Sequence, residues 1–186
     1  MNIYRTIKLS VIIISFAALG SSCTNNNDKA LDTSQVVPLD VIQSQGVSLP
    51  VYDFQAFKPM LDFNNDTLYI FNFWATWCQP CVKEMPYFNM ADSAYAEMPV
   101  RIILVSLDFI ENAETRLIPF IIENKITPEV IVLDDMDANT WIPQIDEDWE
   151  GTIPATLFKQ RSTRKFYAGS YTFEELNHEI ETILNP

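Results

Sequence analysis

The chain has 186 residues, room for one ordinary domain with an appendage, and 48% of them are apolar, enough for a real core. Twelve per cent aromatic residues argue against a disordered chain. A formal net charge of −13 argues against a nucleic-acid binder, because such a surface repels phosphate.

Taken in chain order, the first residues read as an export signal. Arg5 and Lys8 supply a positive start, Leu9 to Leu19 is apolar except for Ser10 and Ser15, and small residues lead into Cys23. The apolar run is shorter than the roughly 20 residues of a comfortable membrane span. "ALGSSC" resembles a bacterial lipobox, although Gly20 stands where leucine is usual. The chain has three cysteines and two of them form a close pair, so Cys23 is left over, and lipidation would remove the liability of a lone thiol. The expected organisation is a signal peptide over 1–22, a lipidated N-terminus and flexible tether over 23–35, and one domain over 36–186. The expected location is the cell envelope, facing the periplasm and lipid-anchored to a membrane.

Within the domain, Val41–Ile42 and Val47–Leu49 flank Gly46 and predict a hairpin. Tyr52 to Leu61 carries Phe54, Phe57, Met60 and Leu61 at helix-like spacing. "TLYIFNFW" runs apolar and aromatic almost without a break, the mark of a strand buried on both faces. Cys78 to about Glu97 reads as a helix with Pro86 as a kink. "VRIILVSLD" and "EVIVLDD" are further buried strands, and Asn112 to Asn124 is a helix with Leu117, Phe120 and Ile121 on one side. Asp137 to Trp149, acidic and Trp-rich, has no clear assignment. "PATLFK" and "RKFYAG" flank a polar turn, and Phe173 to Leu184 closes as a helix. That order predicts an α/β domain, a mixed sheet flanked by helices.

The pair Cys78 and Cys81 carries the chemistry. A structural zinc site needs four ligands, and there is no second pair and only one histidine, His178. Haem attachment needs histidine after the second cysteine, where Val82 stands. A staple gains most by closing a long loop, and this one is among the shortest. Redox chemistry remains. Cys78 falls at a helix N-terminus, where free N–H groups and the helix dipole stabilise a thiolate. Two intervening residues bring Cys81 one turn round, and Pro80 suits the first turn. Elsewhere, Trp74 reads as a core residue, Trp141 and Trp149 as packing residues with a substrate-facing aromatic edge as the alternative, and His178 as a helix-surface residue. Asp134, Asp135, Asp137 and Asn139 resemble a calcium loop but lack its glycine and distant glutamate. Glu84 reads either as an acid complementing the helix dipole or as a proton acceptor for Cys81. Thr76 lies two residues before Cys78, not at the Thr-x-x-Cys spacing of a peroxidase.

"NFWATWCQPC", the "KEMP" that follows and "GTIPATLF" far along the chain resemble the TlpA/ResA disulfide-reductase family, in its Bacteroidetes-type lipoprotein form, over roughly residues 36–184. The resemblance implies a thioredoxin fold with an αβ insertion, for which Val100 to Val132 has room. It implies Cys78 as the attacking cysteine and Cys81 as the resolving one, with Glu84 at the family's active-site glutamate. Trp77 flanks the site, and Pro154 matches a cis-proline that turns the Ile153 backbone toward substrate. Asn72 stands where cytosolic thioredoxins carry a buried aspartate. The implied activity is a protein-disulfide reductase, acting in cytochrome c maturation, with disulfide-containing protein substrates and a membrane thiol as electron donor. It implies a monomer, without organic cofactor or metal. The rival reading is a copper(I)- or peptide-binding periplasmic carrier or chaperone on the same fold, with Met85 the only thioether near the pair.

Overall fold

The computed structural model describes residues 36–185. The signal segment, Cys23 and the tether lie outside the described residues. The elements are β1 (Asp40–Ser44), β2 (Val47–Tyr52), α1 (Phe54–Phe57), β3 (Leu68–Trp74), α2 (Gln79–Ala94), β4 (Val100–Ser106), α3 (Ile118–Glu123), β5 (Glu129–Leu133), α4 (Ala138–Ile145), β6 (Ala155–Gln160), β7 (Thr163–Ala168) and α5 (Phe173–Leu184).

The seven strands form one mixed sheet in the order β1-β2-β5-β4-β3-β6-β7. β3 lies between β4, parallel to it, and β6, antiparallel. All seven of its residues are buried, which explains a sequence without polar alternation. Period-two geometry divides them between two cores. Leu68, Ile70 and Trp74 join Met85 and Phe88 of α2 and Leu176 and Ile180 of α5. Tyr69, Phe71 and Phe73 join Phe54 and Phe57 of α1 and Trp141 and Ile145 of α4. Asn72 falls on the α2 side and is fully buried.

Three helical segments depart from expectation. The helix expected over Tyr52 to Leu61 is a four-residue α1, capped by Asp53, followed by a 3-10 turn over Lys58–Asp62. Pro59 lacks the N–H needed to continue an α ladder there. The helix expected from Asn112 starts earlier, as a 3-10 turn over Ile110–Asn112, and widens to a π turn over Ala113–Leu117 before α3. Pro119, in the first turn of α3, removes a donor at that junction. The unassigned acidic stretch contains α4, which buries Trp141 and Ile145 against the sheet. The β4–α3–β5 unit covers the stretch allotted to the αβ insertion. Among the described residues, no helix is long and apolar enough to cross a membrane.

Candidate active site

β3, β4 and β5 run parallel and end level, with Trp74 paired to Ser106 and Ser106 to Val132. Their carboxy ends therefore share one edge of the sheet. β6 runs the other way, so its first residues, next to Ile153 and Pro154, reach the same edge beside Phe73. This is the end of the sheet where α/β folds place ligands, because the loops there open onto helix N-termini.

The loop leaving β3 is tied to the loop leaving β4. Leu107 N–H donates to the Trp74 carbonyl at 2.8 Å. Thr76 donates twice to buried Asp108, from its N–H to Oδ2 at 2.9 Å and from its hydroxyl to Oδ1 at 2.5 Å. The Ser106 hydroxyl donates to the same carboxylate at 2.9 Å. Held in this way, Trp77 projects with half of its surface exposed (50%).

Cys78 follows in extended conformation as the N-cap of α2, with Pro80 in the first turn. It is disulfide-bonded to Cys81, their Cα atoms 5.3 Å apart. Cys81 N–H donates to Cys78 Sγ at 3.3 Å, the helix-terminus contact that favours charge on that sulfur once the bond is reduced. Cys78 retains 6% of its surface and Cys81 none, so an incoming group reaches Cys78 first. Sγ of Cys78 lies 3.6 Å from the Ile153 carbonyl oxygen, and the Ile153–Pro154 peptide bond is cis.

Glu84, one turn past Cys81, is 1% exposed. Asn72 Nδ2 donates to its Oε1 at 3.0 Å and Tyr171 N–H to its Oε2 at 2.9 Å. Burial pushes its carboxyl up to about 7 from an ordinary 4.5, outweighing those two donors, which act the other way. A carboxyl poised near neutrality exchanges protons readily at working pH. A cleft of about 220 Å³ lies beside it, lined by Pro80, Lys83, Tyr87, Tyr171 and Thr172 among others.

The structure thus brings Trp77, Cys78, Cys81, Glu84, Ile153 and Pro154 together at one sheet edge. Trp74, Trp141 and Trp149 are buried; Trp141 Nε1 donates to the Asp135 carbonyl and Trp149 Nε1 to that of Thr152. His178 is exposed on α5. Asp135 spends its carboxylate on the N–H groups of Phe54 and Asp137. Among the described residues no group of three or more His, Cys, Asp or Glu is placed to hold a metal ion. Sequence reasoning missed Asp108 and Tyr171. The only signal for Asp108 was an acid at the end of a buried apolar run; Tyr171 acts through its backbone and leaves none.

A domain of this topology, with a cysteine pair at the first turn of α2 and a cis-proline opposite, is a thioredoxin-fold protein. The AhpC/TSA family profile matches residues 47–158, and the chain belongs to that family. Among curated proteins it is similar to the thiol-disulfide oxidoreductase ResA of Geobacillus thermodenitrificans, 30% identical over 119 residues. That match covers 60% of this chain and spans 60% of the relative's length. Among solved structures, a thioredoxin-family thiol:disulfide interchange protein from Chlorobium tepidum is similar, with a TM-score of 0.56 and 16% identity over 80% of this chain and 97% of that one. A thioredoxin-related protein from Neisseria meningitidis serogroup B has a TM-score of 0.55 and 21% identity over 66% of this chain and 88% of that one. At these identities the two structures speak for the fold.

Proposed function

We propose that this protein is an extracytoplasmic thiol–disulfide oxidoreductase that reduces protein disulfides through Cys78 and Cys81. The observation that carries the reading is the pair itself: a sulfur capping a helix, on the less buried of the two cysteines, with a fully buried partner one turn on. In the reduced protein the Cys78 thiolate attacks a substrate disulfide and forms a mixed disulfide, and one substrate sulfur leaves as a thiolate that takes up a proton. Cys81, deprotonated with help from Glu84, then attacks Cys78 and displaces the second substrate thiol. Two electrons and two protons pass to the substrate, and the disulfide between Cys78 and Cys81 forms. Trp77 and the Ile153–Pro154 backbone hold the substrate segment, in the manner of strand pairing at an exposed backbone. A membrane dithiol donor restores the reduced pair, no metal or organic cofactor takes part, and the domain works as a monomer.

The finer reading places the domain in the cell envelope, facing the periplasm, with Cys23 lipidated, and gives it a role in cytochrome c maturation. It rests on the N-terminal sequence pattern and the family resemblance.

An insulin-reduction assay with a redox titration of the pair tests the activity. The expected potential lies in the reducing range, near the roughly −270 mV of thioredoxin; a value near the roughly −120 mV of a strong oxidant reverses the direction. Cys23→Ala is expected to release the protein from the membrane fraction, and a wild-type protein found wholly in the soluble fraction overturns the anchor.

A further inference from the structure

The loops at the carboxy edge of the sheet carry more than the cysteine pair needs. Phe109, after β4, is 57% exposed, and Met136, after β5, is 85% exposed. With Trp77, after β3, they make one exposed apolar residue on each of three consecutive loops. The strands stand about 4.8 Å apart, so the row extends about 10 Å from Cys78, the reach of about three residues of extended peptide. Large apolar side chains exposed at corresponding places on neighbouring loops, beside a reactive group, suit a contact surface.

The charge along this row has one sign. Segments 75–80, 107–112, 134–139 and 150–154 contain Asp108, Glu111, Asp134, Asp135, Asp137 and Glu150, and no lysine or arginine. Glu111, Asp134, Asp137 and Glu150 are exposed. Glu150 lies by the start of α4, lining a small cleft with Ala138 and Asn139. The nearest cations along the chain, Lys83 and Arg116, sit farther on, in α2 and in the π turn before α3. The thiolate of reduced Cys78 would add a further negative charge beside the row.

We infer that the carboxy edge, from Trp77 across Phe109 to Met136, is a docking surface for a cationic polypeptide segment with apolar side chains, on which the substrate disulfide is presented to Cys78. The inference rests on the oxidoreductase reading and names its substrate class. An unfolded segment fits better than a folded partner, because three apolar contacts spaced along an edge match alternate side chains of an extended chain. The acids raise the encounter rate of cationic segments and slow that of anionic ones. A second copy of this chain is disfavoured as occupant, since its own edge carries the same charge.

The test uses the domain reduced with dithiothreitol and freed of it, so each protein molecule supplies one pair of electrons. Disulfide-bonded peptides of one apolar core, with lysine-rich, neutral or glutamate-rich flanks, are mixed with it, and thiol formation is followed in a single turnover. At about 0.01 M salt the lysine-flanked peptide is expected to react at least about tenfold faster than the glutamate-flanked one, a modest case of electrostatic steering. The ratio is expected to fall toward unity near 1 M salt, where the screening length drops from about 30 Å to about 3 Å. The combined variant Glu111→Gln, Asp134→Asn, Asp137→Asn and Glu150→Gln is expected to bring the low-salt ratio below about threefold. Asp66→Asn with Glu97→Gln, on the far side of the sheet, is expected to leave it in place. Equal rates for all flanks at low salt, or sedimentation showing a dimer formed through this edge, overturn the inference alone. No reduction of any peptide overturns the oxidoreductase reading with it.

Discussion

The two edges of the sheet are built from the same strands and have opposite characters. At the amino edge, segments 63–67, 95–99, 124–128 and 160–163 carry Asp66, Glu97, Lys125 and Arg161, two of each sign. There the polar groups satisfy one another. Arg161 pairs with Asp66 at 2.6 Å, and its N–H donates to the Asn65 carbonyl. Gln160 donates to the Asp66 carbonyl, and buried Lys159 donates to those of Phe63 and Arg161. The carboxy edge keeps three large apolar side chains and several acids turned outward, beside the slightly exposed Cys78. Both edges tie their loops with hydrogen bonds, but the amino edge exposes charges of both signs and one large apolar side chain, Met98, whereas the carboxy edge exposes three, among acids of one sign.

The largest test of the comparison is Cys78→Ser, expected to abolish disulfide exchange, while Cys81→Ser accumulates mixed disulfides because attack survives and resolution does not. Non-reducing gels of both variants with a disulfide substrate decide it. Traps formed by Cys78→Ser instead would move the attacking sulfur to Cys81.

Next comes a matched pair of buried charges, one from each edge. Asp108→Ala leaves the Thr76 N–H and Ser106 hydroxyl without their acceptor, and is expected to cost about 2–4 kcal/mol by denaturant unfolding. Lys159→Met removes a charge whose own protonation burial disfavours, and is expected to cost less, about 1–2 kcal/mol. Only Asp108→Ala is expected to change the alkylation rate of Cys78, since only it frees the loop before that residue. Equal changes in both variants would dissolve the distinction between the edges.

Glu84→Gln is expected to slow turnover about 10- to 100-fold and to remove a limb near pH 7 from the rate profile. The same carboxyl has a stability consequence. Its folded value, about 7, lies above the ordinary 4.5, so between those values the folded state binds more proton than the unfolded one. Stability is then lost as pH rises through this window, by up to about 3 kcal/mol, and Glu84→Gln is expected to flatten that slope. A wild-type stability profile flat from pH 5 to 8 would remove the poised carboxyl.

The smallest effects belong to the surface. Trp77→Ala is expected to raise KM for peptide substrates several-fold with stability changed by less than about 1 kcal/mol, because the side chain is half-exposed. Asp66→Asn at the amino edge is expected to change stability by less than about 0.5 kcal/mol and exchange not at all, as an exposed ion pair should. A KM effect from Asp66→Asn as large as that from Trp77→Ala would extend the working surface to both edges.

Much of this was legible in the chain. Strand β3 announced itself through an apolar run broken only by Asn72, and the closing helix was read at Phe173 to Leu184, where α5 lies. The cysteine pair followed from spacing alone. α4 was missed because Trp141 and Ile145 sit among acids and Pro143, which together read as loop. The π turn before Pro119 was missed because a wide turn and an ordinary one bury the same residues.

The sequence by itself determined the elements whose signals are local: continuous apolar runs, helical spacing, turns and the helix-terminal cysteines. Tertiary structure alone decided two features of the candidate site. Glu84 is a buried carboxyl rather than a surface acid because the fold brings Tyr171, 87 positions away, and Asn72 of the central strand against it, and that burial raises it although both groups donate to it. Thr76 presents Trp77 because Asp108, 32 positions away, holds its backbone. Desolvation and hydrogen-bond geometry depend on which distant groups arrive together, and no window of neighbouring residues contains that information.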